Sequence, residues 1–194
     1  MIRSRQLFVA AVSILALLAM SACQTTPKSE AEREDLKDEV QASLNTFQRE
    51  DPGIKDFLNH AYGYAVFPSI GKGGLIVGGA YGKGRVYEQG RAVGYADMTQ
   101  ASVGAQIGGE TFSEIIAFQT ADALNNFKAK KLAFSANASA VAIKSGASAA
   151  AKYDNGVAVF TMTKGGLMAE ASVGGQKFTY IADANVGNHP TTMP

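Results

Sequence analysis

Seven glycines stand in the fourteen residues Gly71-Lys-Gly-Gly-Leu-Ile-Val-Gly-Gly-Ala-Tyr-Gly-Lys-Gly84. Each costs a helix roughly 1 kcal/mol relative to alanine, so this density argues against helix. Nucleotide loops are also excluded. G-x-x-x-x-G-K-[ST] would need glycine at Val77 and a hydroxyl at Gly84, and G-x-G-x-x-G would need glycine at Ile76 or Tyr87. Gly74, Gly78 and Gly82 do keep the four-residue rhythm of packed membrane helices. The apolar run Leu75 to Tyr81 is nevertheless too short to span about 30 Å of hydrocarbon. A strand remains. At period two, one face is Gly74, Ile76, Gly78, Ala80, Gly82 and Gly84, nearly bare. The other runs Leu75, Val77, Gly79, Tyr81, Lys83, Arg85, from aliphatic through aromatic to cationic. That order matches a membrane interface, and equally a strand that leaves a core for solvent.

The chain's first residues are of another kind. Arg3 and Arg5 precede an apolar run, Leu7 to Leu18, and then Met20-Ser21-Ala22, the pattern of a secretory signal over residues 1–22. Cys23 follows, the one cysteine of the chain. An unpaired cysteine in an exported protein calls for other chemistry. The surrounding pattern resembles a bacterial lipobox, with Met20 where leucine is usual. The resemblance implies diacylglycerol and palmitate on Cys23. With Gln24 next rather than aspartate, it also implies a place at the periplasmic side of the outer membrane. Charge is then distributed unevenly: residues 28–56 carry nine acidic and five basic groups, residues 57–194 eight and eleven. Such a balance does not predict a nucleic-acid binder, which needs a dense basic stripe.

After a lipidated tether, residues 23–28, local signals predict helices. Ser29 and Glu32 form a capping box, and Leu36, Val40, Leu44 and Phe47 recur at helical spacing. Asp51-Pro52 reads as the N-cap and first position of a second helix through Ile54, Phe57 and Leu58. Beyond Tyr62 the pattern becomes short strands: Tyr64 to Phe67, stopped by Pro68, then Leu75 to Tyr87, Ala92 to Met98, Ser102 to Ile107 and Ile115 to Gln119. Thr120 caps a helix ending in Lys128, Lys130 and Lys131. Leu132 to Ile143 alternates as a strand would, and Gly146 to Lys152 stays open. Val157 to Thr163, Leu167 to Val173 and Lys177 to Ile181 are separated by Lys164-Gly-Gly and Gly174-Gly, which read as hairpin turns. The fold expected is α+β, mainly β. It has an N-terminal helix or helix pair, then a strongly twisted antiparallel sheet or barrel-like meander with one inserted helix. The domain should occupy residues 29–184, before a loose tail at 185–194.

Ala61 to Gly84, Gly108-Gly-Glu-Thr-Phe-Ser-Glu-Ile-Ile-Ala-Phe118 and Gly156-Val-Ala-Val-Phe-Thr-Met-Thr-Lys-Gly-Gly-Leu-Met168 resemble the SYLF domain family. The resemblance implies phospholipid binding, and its bacterial members are commonly exported lipoproteins. It also brings actin binding in yeast, which is not expected of a protein facing a periplasm. A basic amphipathic helix serves membrane contact in eukaryotic members, whereas Ser29 to Glu50 here is acidic. The headgroup contacts expected are therefore Lys72, Lys83 and Arg85, with Lys128, Lys130 and Lys131 second, and Leu75, Val77 and Tyr81 against lipid. The expected partner is an anionic phospholipid or membrane surface; the alternative is a structural module that recruits an envelope protein.

No catalytic motif emerges. His60 and His189 are the only histidines, no Cys/His set predicts a metal or other cofactor, and Ser113-Glu114, before an apolar strand, fits an edge-strand polar pair equally well. Whether Asp97 and Glu110 approach each other is a matter of geometry. The chain is expected not to be an enzyme.

Overall fold

The computed structural model describes residues 27, 29–130, 133–134 and 140–183. The signal segment, Cys23, most of the tether, Lys131, half of the Leu132 to Ile143 alternation, His189 and the tail lie outside the described residues.

Helix α1 (Glu30–Glu50) begins as the capping box predicts, with the Glu32 N–H donating to Ser29 Oγ at 3.2 Å. Its stripe Leu36, Val40, Leu44 and Phe47 is buried. That amounts to roughly 1.5–3 kcal/mol for each side chain taken fully out of water. Helix α2 (Ile54–His60) follows after a break at Asp51, whose backbone is extended. Gly53, rather than Asp51, stands at the N-cap of α2. The Asp51 carboxylate instead reaches across the chain, accepting from Ser148 N at 2.6 Å, Gly53 N at 3.1 Å and Gly146 N at 3.4 Å. Burial opposes its ionisation, but those three N–H groups together with the Ser148 hydroxyl outweigh burial and hold its pKa below the usual value.

The strands are β1 (Gly63–Gly74), β2 (Val77–Glu88), β3 (Arg91–Phe118), β4 (Ala133–Phe134), β5 (Ala140–Ala142) and β6 (Val157–Ala182). Helix α3 (Ala121–Lys128) follows β3, and α4 (Ala147–Ala150) fills the stretch that the sequence leaves open. Five expected breaks are absent. Pro68 does not stop β1, because it sits in a bulge between Val66 and Ser69, where no ladder N–H is required of it. The three strands expected between Ala92 and Gln119 are one strand of 28 residues. The last three are one strand of 26 residues, with Gly165, Gly166, Gly174 and Gly175 paired inside the ladder.

The register explains why strands so long are needed. Residues 77–88 of β2 pair with 91–103 of β3, while residues 108–118 of the same β3 return along β1. β3 thus runs up one flank of the β1–β2 hairpin and down the other, passing Gly108 at φ +115, a conformation open to glycine. β6 follows β3 antiparallel from Val157↔Phe118 to Ala182↔Gly94. The sheet therefore curls round an interior, where Phe67 of β1 meets Phe178 of β6 with ring centroids 5.8 Å apart.

Both faces of the sheet's lower part are buried. Phe67, Ile116, Phe118, Val159 and Phe178 point inward, and Phe127 of α3 closes that end. Val66, Ile115, Ala117 and Phe160 point outward under α1 and α2. Runs such as Ile115-Ile-Ala-Phe118 and Val157-Ala-Val-Phe160 are continuous in apolar residues for this reason. The bare face of β2 is likewise absorbed by the protein itself. A Cβ at Gly84 would stand 2.7 Å from the Phe67 ring and from the Val66 carbonyl oxygen, and one at Gly82 would stand 2.6 Å from Ile70. The glycines of this face make room for core side chains of β1.

Candidate functional site: an apolar tip and a polar interior

The curled sheet presents different chemistry at its two ends. At the β1–β2 turn, Leu75, Ile76 and Val77 are 61%, 69% and 69% exposed. Val103, directly opposite Val77, and Ile107, which precedes the partner of Gly74, are 64% and 61% exposed. Five large aliphatic side chains therefore gather at one end. Exposed aliphatics scattered singly are ordinary; a contiguous group of this size marks an interaction surface.

Just beneath the tip the interior turns polar. Lys72, Gln100, Ser102, Glu114 and Gln176 are all buried. Lys72 is paired across the ladder with Ala80 and Glu110, and Gln100 with Ala80 and Gln176. Gln176 Nε2 donates to Glu114 Oε2 at 3.0 Å, joining the two halves of the curl. Burial pushes the Glu114 carboxyl up to about 7, with the Gln176 bond pulling the other way. A cavity of about 340 Å³ reaches this layer, lined by Lys72, Gln100, Glu110, Phe112, Glu114, Ala140, Thr161 and Thr163. Ser113 and Glu114 are accordingly no edge pair. β3 runs between β1 and β6 at this point, Ser113 Oγ donates to Pro68 O at 2.7 Å, and Glu114 is fully buried on the other face.

Residues 99–189 match the Ysc84 family, described as Las17-binding protein actin regulator. Residues 99–189 belong to the SYLF domain family. The chain is 31% identical over 132 residues to beta cell expansion factor A of Aeromonas veronii, a bacterial SYLF protein. The alignment covers 66% of this chain and 49% of the relative, so the chain spans about half the relative's length. The matched segment of the SYLF domain contains Val103, Ile107, Glu114 and Gln176; the glycine-rich Gly71 to Gly84 lies before it.

The expected lipid-contact residues are dispersed over the fold. Leu75 and Val77 are at the tip. Lys72 is buried, on the inward face. Lys83 and Tyr81 are half-buried on the outward face, beside a cavity of about 310 Å³ shared with Glu32, Asp35 and Glu39. Tyr81 donates to Asp97 at 3.2 Å, and Asp97 stands opposite Lys83 in the ladder. The Arg85 guanidinium lies 5.7 Å from the Tyr95 ring centroid. Lys128 is at the far end of the sheet from the tip, donating to Glu88 at 2.6 Å and lying 5.6 Å from the Tyr180 ring centroid. That bond, aided by one from Tyr62, depresses the Glu88 pKa despite partial burial. Lys130 is exposed beside it, and Lys131 and Cys23 lie outside the described residues. The five expected cations among the described residues thus do not form one patch with the aliphatic tip.

Other sequence candidates are separated too. Asp97 faces outward beside Lys83, whereas Glu110 lines the interior cavity, so they form no carboxylate pair. His60 is exposed, with Nδ1 2.8 Å from the Asp56 carbonyl oxygen. Ile76, Val103 and Ile107 are exposed members of the tip that the sequence does not single out. At period two Ile76 falls on the nearly bare face, but the turn at 75–76 breaks that alternation and leaves it exposed.

Proposed function

We propose that this SYLF domain binds phospholipid membranes by inserting its aliphatic tip, and that Cys23 carries the lipid anchor of an exported, envelope-located lipoprotein. The exposed set Leu75, Ile76, Val77, Val103 and Ile107 is the observation that carries the membrane reading. Side chains of this kind gain roughly 1.5–3 kcal/mol each on full transfer from water, so several acting together suffice for association. The five side chains of the set carry no charge, which favours insertion over headgroup attraction as the main contribution. Lys83 and Arg85, which lie against the helical and aromatic surroundings of the outward face, play a lesser part in this reading.

Vesicle co-sedimentation of residues 24–194 tests it, using anionic and zwitterionic lipid at low and high salt. Binding should persist in all four conditions, with a modest preference for anionic lipid at low salt. Absence of binding throughout would overturn the reading and favour a protein-recruiting envelope module. The anchor is tested separately: radiolabelled palmitate should enter the full chain in a bacterial host and fail to enter Cys23→Ser. Equal labelling of both would remove Cys23 as the acylated residue.

A further inference from the structure

The polar layer beneath the tip contains two buried oxygens that lack hydrogen bonds among the described residues, Glu114 Oε1 and Gln176 Oε1. They belong to the pair joined by the 3.0 Å bond from Gln176 Nε2 to Glu114 Oε2, and both side chains are fully buried. Native interiors rarely leave such acceptors unmatched, since each then bears its desolvation cost with no bond in return. Glu114 also forms part of the wall of the cavity of about 340 Å³, with Thr161 and the exposed Thr163 also lining it. That volume lies at the small end of the roughly 300–1,000 Å³ usual for ligand sites.

From this geometry we infer that the cavity is a binding site for a small protonated primary amine, its ammonium donating to Glu114, the member of the pair that lines it. An ammonium offers three N–H donors and one positive charge, which matches acceptor-only oxygens and a buried carboxylate. A divalent metal matches less well, because among the described residues no three His, Cys, Asp or Glu side chains converge. Lys72 of β1 and Glu110 of β3 are the other charged residues lining the cavity among those described. Neither contributes to the shift of Glu114, which burial raises and Gln176 alone opposes. The bound amine would supply the countercharge, so binding and ionisation of Glu114 are linked.

Calorimetric titration of ethanolamine into the full chain, at pH 6 and pH 8, tests the site. Ethanolamine should bind saturably, about tenfold more tightly at pH 8, since below about 7 the carboxyl must first lose its proton. Tetramethylammonium, which has charge but no N–H, should not bind. Glu114→Gln should weaken ethanolamine binding at pH 8 at least tenfold while a melting curve shows it folded. No saturable ethanolamine binding at pH 8 would overturn the inference. So would equal binding by a folded Glu114→Gln, or tetramethylammonium binding as tightly. Competition by phosphatidylethanolamine vesicles distinguishes the source: displacement assigns the ammonium to a headgroup, and none assigns it to a free amine. Either result rests on the same site. Capture of a free amine in the cavity does not require the aliphatic tip, so the ethanolamine titration and the vesicle experiment can fail separately.

Discussion

The double substitution Ile76→Asp with Val103→Asp should lower vesicle affinity at least a hundredfold without unfolding the domain. Both side chains are mostly solvated, at 69% and 64% exposure, so the folded state loses little on their replacement. They stand on neighbouring strands of the same tip but not directly opposite each other, since Val103 faces Val77. A destabilising like-charge cross-strand pair is thereby avoided. If both side chains enter the bilayer, removing them forfeits roughly 3–6 kcal/mol. At about 1.4 kcal/mol per tenfold, that is a hundredfold or more. Co-sedimentation measures the loss, and circular dichroism melting verifies the fold. Unchanged partitioning of a folded double variant would rule out tip insertion.

Stability should fall as pH rises from about 5 to 8, and Glu114→Gln should remove most of that fall. The Glu114 carboxyl titrates near 7 in the folded chain against an ordinary value of 4.5. Between those values the folded state holds a proton that the unfolded state has released. Stability is therefore greatest for this group below about 4.5 and declines through about 7, by about 3 kcal/mol in total. Asp51 has the opposite sign: its depressed pKa adds stability that is present above 3.8 and lost as pH falls through its folded value. The two together place the optimum near pH 5. A domain of this size gains roughly 2–4 °C per kcal/mol, so Glu114→Gln should melt several degrees higher than the parent at pH 8. The two proteins should converge near pH 5. A parent melting temperature flat between pH 5 and 8 would mean that Glu114 is not held protonated by burial.

The helices are the most legible part of the fold. Ser29 with Glu32, and Thr120 before Ala123, are caps whose geometry is settled within four residues, and both appear as expected. Asp51 departs from its local signature for a long-range reason. Its position before Pro52 reads as an N-cap, but its carboxylate is claimed by Ser148, 97 residues away. The expected strand breaks fail in the same way. Lys164-Gly-Gly looks like a turn, yet Gly165 and Gly166 lie opposite Thr111 and Glu110 in a ladder that must bend with β3. A glycine pair signals low backbone cost, and only the neighbouring strand decides whether that freedom is used for turning or for curling.

The site divides along the same line. Composition and period determined that Gly71 to Gly84 is extended, that it is no nucleotide loop, and that Leu75 and Val77 differ in kind from the glycines beside them. The motifs from Ala61 to Met168 also carried the family resemblance. Tertiary structure decided the rest. It packed Phe67 and Ile70 against the bare face, turned Lys72 inward and Lys83 toward the outward face beside α1, and brought Val103 beside Val77. It also made Glu114 an interior acid rather than an edge residue. The alternation of a strand fixes which residues share a face, but a face becomes inside or outside only when the sheet closes on itself. That closure depends on pairings such as Gly94↔Ala182 and Gly74↔Gly108, between residues far apart in the chain.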